Sequence, residues 1–168
     1  MGTGQVDAAT FRRVVGRFAT GVVVVTTRTD EGLHGLTANA FCSVSLEPLL
    51  ALVCVDKLAR GHERLAQAGA FAISVLSDRQ EFLADRFAGR APLVNASFDG
   101  APYHQAVTGA PILDGCVAWL DCRLWATYDG GDHSIFVGEV VAAAEDREAQ
   151  PLLFLDSRYV HADGGRRR

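Results

Sequence analysis

Thr37, Asn39, Ser43 and Ser45 fall at alternate positions of one uncharged stretch, with Phe41 between them, while Leu36, Ala38, Ala40, Cys42, Val44 and Leu46 fill the other positions. Alternate side chains of an extended strand point to opposite faces. The stretch therefore predicts one wall of small hydroxyl and amide groups and one wall that faces a core. Solvent does not require such a wall, since exposed strand faces ordinarily carry charge. A sheltered interface or half-buried barrel strand would suit it, and so would the lining for a polar, planar ligand. Glu47-Pro48 turns the chain into LLALVCV, a short apolar run of the kind that forms a buried strand.

His133 in GGDH is the other residue with chemistry to offer. Glycines beside it clear side-chain bulk for a close approach. An imidazole there could hydrogen-bond an amide, move a proton near neutral pH, or simply pair with local backbone. Arg60, Arg64, Arg86 and Arg90 sit on or beside two helical patterns, where a guanidinium fork suits phosphate. As plain surface residues they would need no ligand. Lys57 is the single lysine among 16 cationic side chains, placed for a surface or phosphate pairing. His34, His62, His104 and His161 lack metal-ligand spacing, so no metal site is expected. Neither a G-x-S-x-G elbow nor a G-x-G-x-x-G fingerprint is present, which speaks against a serine hydrolase and a Rossmann fold.

These residues must be held by elements whose patterns are legible. Asp7 caps a short helix in which Phe11, Val14, Val15 and Phe18 form one stripe expected to be buried. Thr20-Gly21 breaks it. VVVVTTR is strand-like, and Asp30-Glu31-Gly32 makes a hairpin leading into the Thr37 to Ser45 strand. ARGHERLAQAG forms a helix ended by Gly69, AFAISVL a buried strand, and DRQEFLADRFAG a second inserted helix closed by Gly89. Residues 90 to 112 show no sustained periodicity. A strand from Gly115 to Tyr128, the YDGGDH turn, the strand HSIFVGEVVAAAE and the segment PLLFLDSRYV complete the core. About six strands in hairpin order predict a mainly β fold with short helices, closed as an antiparallel barrel because closure removes exposed edges.

A chain of 168 residues suffices for one substantial core, so a single domain is expected, with its core at about 11–160 and 161–168 as a flexible tail. The net charge of −4 gives no reason to expect nucleic acid or an anionic membrane as partner. Cys42, Cys54, Cys116 and Cys122 lie in apolar runs without CxxC spacing, as free thiols of a reducing cytoplasm would. No secretion signal and no run of about 18 apolar residues is seen, so neither export nor a membrane span is expected.

GVVVVTT, HGLTANAFCSVSLEPLLALVCVDK, FAISVLS, DRFAG, GDHSIFVGEV and the Arg-Tyr pair of DSRYV occur in that order. Together they resemble the short-chain flavin reductases, NAD(P)H:flavin oxidoreductases of two-component monooxygenases. The resemblance runs from about Phe11 to Tyr159. It implies a flavin reductase-like FMN-binding fold, a split β-barrel that is usually a homodimer. It also implies hydride transfer from NADH, or NADPH, to FAD or FMN, which then diffuses to a monooxygenase or halogenase. On this resemblance Thr37, Ala38 and Asn39 line the isoalloxazine and ribityl region, and Ser43 and Ser45 the ribityl-phosphate path. Cys54, Val55, Asp56 and Lys57 pass along the ring edge, and Phe87, Ala88 and Gly89 flank the flavin tail. His133 meets the nicotinamide, with Arg158 and Tyr159 near the pocket. Many relatives have Ser or Thr after the lysine, whereas Leu58-Ala59-Arg60-Gly61-His62 stands here, so Arg60 and His62 take the phosphate side by substitution. Leu49 replaces the family's second proline. Two other readings are a flavin- or haem-binding carrier on the same barrel without NAD(P)H turnover, and a pyridoxamine-phosphate-oxidase-like enzyme, which would want a richer basic cluster.

Overall fold

The computed structural model describes residues 6–90 and 98–162. Pro92, and the GGRRR segment read as a tail, lie outside them. Twelve strands and three short helices make up the described residues. The main sheet has seven strands. In chain order these are β2 (Val23–Thr29), β3 (Gly32–Ala38), β4 (Phe41–Leu46), β5 (Leu49–Asp56), β6 (Ala70–Val75), β9 (Ala118–Gly130) and β10 (His133–Glu145), and they stand side by side as β3-β2-β6-β9-β10-β5-β4. A second sheet, β1-β11-β12, joins β1 (Thr20–Gly21) to β11 (Leu152–Leu155) and β12 (Arg158–His161).

The valine run explains the centre. Val22 to Thr27 are all buried, because both faces of β2 are covered. Val23 and Val25 meet Val53, Val55, Phe71, Ile73 and Phe136 on one side, while Val22 and Val24 meet Leu76, Phe87, Leu113 and Leu152 on the other. A strand buried on both faces reads as continuous rather than alternating hydrophobicity. Helix α2 (His62–Ala68) contributes Leu65 to the first cluster and ends at Gly69, whose φ of 68° gives the left-handed cap. Helix α3 (Glu81–Phe87) contributes Ala84 and Phe87 to the second.

The ladder differs from the expected closed barrel: it is open, with β3 and β4 as its two edges. These edges are consecutive in the chain, joined through Asn39 and Ala40, so the sheet curls until its ends meet without pairing along their length. The Cys54 amide, hydrogen-bonded to the Ala40 carbonyl at 3.0 Å, draws the link against β5. The predicted Thr37 to Ser45 strand is thus two strands with a corner at Asn39-Ala40.

Burial overturns the expectations for β4 and for the first helix. In β4 the supposed core face is outward: Cys42 is exposed, Val44 is 48% exposed and Leu46 87%. No other element of the described chain packs over this face of β4. Helix α1 (Ala8–Val15) is capped by Asp7 as expected, with the carboxylate accepting from the Thr10 amide at 2.7 Å. Its stripe nonetheless stands clear of the core, Phe11 at 61% and Phe18 at 74% exposure. The unpatterned region after Arg90 contains a small hairpin, β7 (Tyr103–Gln105) with β8 (Pro111–Leu113). The buried Asp121 carboxylate anchors it, accepting from the amides of Val107 and Thr108 at 2.7 and 2.8 Å.

Burial also pushes the Cys116 thiol up to about 11 and Cys122 to about 12, so these two behave as small core hydrophobes.

Gly138 lies at a register shift of β10 against β9. A methyl added there would come within 2.6 Å of the Phe71 ring and 2.7 Å of Cys122. Gly138→Ala should therefore destabilise by about 1–3 kcal/mol through overpacking, lowering the melting temperature by roughly 2–4 °C per kcal/mol. Gly21→Ala, which meets nothing within 4 Å, should stay within about 0.5 kcal/mol of the parent; thermal melts of both variants provide the check.

Candidate functional site

The corner at Asn39 opens onto a cleft whose walls come from three separate parts of the chain. Thr37, Ala38 and Asn39 supply one wall, Ala88 and Arg90 at the end of α3 another, and Phe154 and Tyr159 of β11 and β12 the third. Five of the predicted residues, Thr37, Ala38, Asn39, Ala88 and Tyr159, therefore meet in one place. Val22 and Phe154 join them there unforeseen. The signal for Phe154 was its partner, since the tight Asp156-Ser157 turn sets Phe154 opposite Tyr159 in register, with ring centroids 5.6 Å apart.

Close packing sets this geometry. Gly35 lets Phe87 lie directly on β3: a Cβ there would be 2.7 Å from the Phe87 ring. Two residues on, the Thr37 hydroxyl donates to the Ala84 carbonyl of α3 at 2.6 Å. The Asn39 amide nitrogen donates to the Thr20 hydroxyl at 3.3 Å, and the Tyr159 hydroxyl to Asp85 Oδ1 at 3.1 Å. Burial, then the hydrogen bond to Asp85 and its negative charge, raise the Tyr159 phenol to about 12. It stays protonated and holds α3 to β12.

A second group gathers where β5 and the β9–β10 hairpin end. His133 is opposite Asp56 in register, and Ser134 opposite Val55. Lys57 closes this end: its amide donates to the Asp132 carbonyl at 3.0 Å, its ammonium to the Gly131 carbonyl at 2.6 Å, and it pairs with the Asp129 carboxylate. The side chain expected to make a surface or phosphate pairing is thus tied to the opposite turn. Asp56 Oδ1 accepts from the Leu58 amide at 2.8 Å and shapes the turn itself.

His133 Nδ1 is 2.8 Å from Asp132 Oδ1. A carboxylate at neutral pH only accepts, so Nδ1 carries a proton, and in the neutral form of the ring Nε2 is the acceptor. The half-exposed ring can accept an N–H from a planar amide.

Other predicted residues separate from these groups. Ser43 is opposite Ala51, and Ser45 opposite Leu50, several residues down β5 from Cys54. The Ser45 hydroxyl accepts from the Glu47 amide at 3.2 Å and so serves its own turn. His62 turns inward, Nε2 being 2.8 Å from the buried Ser134 hydroxyl with the ring edge-on to Phe136. Arg60 and Arg158 are exposed. Arg64 pairs with Glu31 at 2.7 Å. Arg86 is buried against expectation, donating to the Asp99 carbonyl at 2.7 Å with its guanidinium 4.7 Å from the Phe82 ring centroid. Among the described residues no cluster of His, Cys, Asp or Glu could hold a metal ion.

The chain matches the family described as flavin reductase like domain over residues 15–163. It is 38% identical over 154 residues to the reductase subunit HsaB of a flavin-dependent monooxygenase from Rhodococcus jostii (strain RHA1), covering 92% of this chain and 77% of that protein. The solved structure of the Streptomyces globisporus C-1027 NADH:FAD oxidoreductase SgcE6, in complex with NAD and FAD fragments, superposes with a TM-score of 0.87 at 41% identity over 96% of each chain. BorF, the flavin reductase component of a bacterial two-component tryptophan halogenase, superposes with a TM-score of 0.84 at 40% identity, over 92% of this chain and 98% of that one.

The Tyr159 hydrogen bond has a spectroscopic consequence. A phenol raised from its usual value near 10 to about 12 adds stability that is complete below pH 10 and is lost as pH rises through about 12. The phenolate absorbance that Tyr159→Phe removes should titrate near pH 12 in the parent and lower in Asp85→Asn, with burial still holding it above 10. A titration unchanged by Asp85→Asn would show that the bond to Asp85 is not made.

Proposed function

The chain belongs to the flavin reductase like domain family, and we propose that it reduces free FAD or FMN with NADH and releases the reduced flavin to a separate monooxygenase or halogenase. The observation that carries this reading is the meeting of Thr37, Ala38, Asn39, Ala88 and Tyr159 in one hydrogen-bonding cleft. HsaB, SgcE6 and BorF, each covered over most of its length, support it by the activities in their names.

The fit of the residues to a flavin is chemical. Bound flavin supplies the hydride-accepting ring, so the protein has only to bind, orient and shield. Small side chains at Thr37 to Asn39 leave room for a flat ring system to approach the backbone. The Cys54 to Lys57 segment, fixed to the β9–β10 turn through Lys57, gives a rigid strand end beside it. His133, oriented by Asp132, accepts the carboxamide N–H of the nicotinamide and sets which face of that ring is presented. Arg158 and Tyr159 border the same space. Phe87 to Gly89 flank the flavin tail, Arg60 and backbone amides near His62 meet its phosphate side, and Ser43 and Ser45 contribute from β4. No general acid or base is required in this scheme.

The chain acts as one domain with a split barrel in which the unpaired β3–β4 seam is the split. It works as a homodimer in the cytoplasm. The outward apolar side chains Val44, Leu46 and Leu49, 48%, 87% and 51% exposed, support a second copy covering this edge. No helix among the described residues is long and apolar enough to cross a membrane.

Purified protein with NADH should reduce a large excess of free flavin over many turnovers, followed by loss of NADH absorbance; absence of turnover with either nicotinamide would end this reading. His133→Ala should raise KM for NADH by about 10-fold, the scale of one lost hydrogen bond at a ligand, with a smaller change for flavin. Equal changes in both would remove His133 from the nicotinamide.

A further inference from the structure

Arg90 was grouped in sequence with three other arginines, and the structure separates it from them. Arg64 is spent on Glu31 and Arg86 on the Asp99 carbonyl, and Arg60 lies in the turn before α2. Arg90 alone of the four lines the cleft, and among the described residues it is the one charged side chain that does so. Its backbone is held where its side chain is not. The Arg90 amide donates to the Asp85 carbonyl at 2.9 Å and the Gly89 amide to the Arg86 carbonyl at 3.1 Å. With Gly89 at φ of 69°, this is the left-handed closure of a helix end. Residue 90 follows directly from this turn and lines the cleft.

The other polar donors at the cleft already have partners. The Thr37 hydroxyl is given to Ala84, the Tyr159 hydroxyl to Asp85 and one Asn39 N–H to Thr20. The Arg90 guanidinium makes no hydrogen bond or ion pair among the described residues, yet its charge reaches Tyr159, where it opposes the upward shift of the phenol. The Asp85 carboxylate nearby is taken by the Tyr159 hydroxyl and forms no ion pair with Arg90, so the guanidinium keeps its donors for an incoming anion. The fork of donors fits two oxygens of a phosphate.

We propose that Arg90 is a specificity-determining residue that binds a phosphate of the reactants and so selects phosphorylated substrates. This rests on the flavin reductase reading. The phosphate can belong to FMN or FAD, or to the pyrophosphate of NADH. Both reactants have phosphate-free counterparts, riboflavin and reduced nicotinamide riboside, so the two sources are separable.

Arg90→Gln and Arg90→Lys are compared with the parent in steady-state assays. The flavin series is riboflavin, FMN and FAD at saturating NADH; the nicotinamide series is reduced nicotinamide riboside and NADH at saturating flavin. A lost charge-assisted hydrogen bond is worth about a tenfold change or more. In Arg90→Gln the ratio of KM for the phosphorylated substrate to KM for its phosphate-free counterpart should rise about tenfold in one of the two series. Arg90→Lys should recover part of that ratio, and the salt dependence of KM should weaken in Arg90→Gln. The series that moves identifies the source. Unchanged ratios in both series, or equal rises in KM with and without phosphate, would overturn the assignment. Failure of the parent protein to turn over any flavin would instead remove the functional reading beneath it. Arg90 is exposed, so a melting temperature matching the parent separates binding from folding.

Discussion

The cleft exists because β3 lets a helix come close. Gly35 has no side chain, and the Phe87 ring occupies the volume that a Cβ would need. That contact lowers the end of α3 onto the strand, and the Thr37 hydroxyl then fixes the separation by donating to Ala84. Everything at the cleft inherits this spacing: Ala88 and Arg90 follow from where α3 ends, and Tyr159 is brought in by its bond to Asp85 on the same helix. Three segments far apart in the chain are thereby locked to one another by a missing methyl, a hydroxyl and a phenol.

The other end of the sheet is governed by a different tie. Lys57 joins the end of β5 to the β9–β10 turn by two contacts from its ammonium and one from its amide. These contacts hold His133 and Asp56 opposite one another at the sheet end. The lone lysine of the chain thereby orders the turn that follows β5. The two ends communicate through Ala40 and Cys54, since the hydrogen bond between them places the Asn39 corner within two residues of Asp56 along β5.

An open ladder with consecutive edge strands also accounts for the outward apolar side chains. Closing β3 onto β4 would require the two-residue link at Asn39-Ala40 to fold back as a tight hairpin. Leaving them apart exposes Leu46 and its neighbours. Large apolar side chains gathered on an edge ordinarily mark a surface that another chain covers. Helix α1 has the same character: well capped, amphipathic, and turned away from the core of its own chain.

Local chemistry was legible in the sequence because it needs only near neighbours. The Asp7 cap, the β2–β3 hairpin around Gly32, the Gly69 and Gly89 helix ends and the long β9–β10 hairpin all follow from side-chain period and turn residues. The uncharged face of Thr37 and Asn39 picked out two residues that line the cleft, and the motifs announced the family. The sequence could not say which layer would cover each face, and this is where its expectations failed. Cys42, Val44 and Leu46 alternate like core residues, yet their strand is an edge; Phe11 and Phe18 form a stripe with no partner in the same chain. The four arginines looked alike for the same reason. Whether a guanidinium is buried under a loop, paired across a hairpin or left facing a cleft depends on contacts between residues distant in the chain. Those contacts come into being only when β3, α3 and β12 pack together.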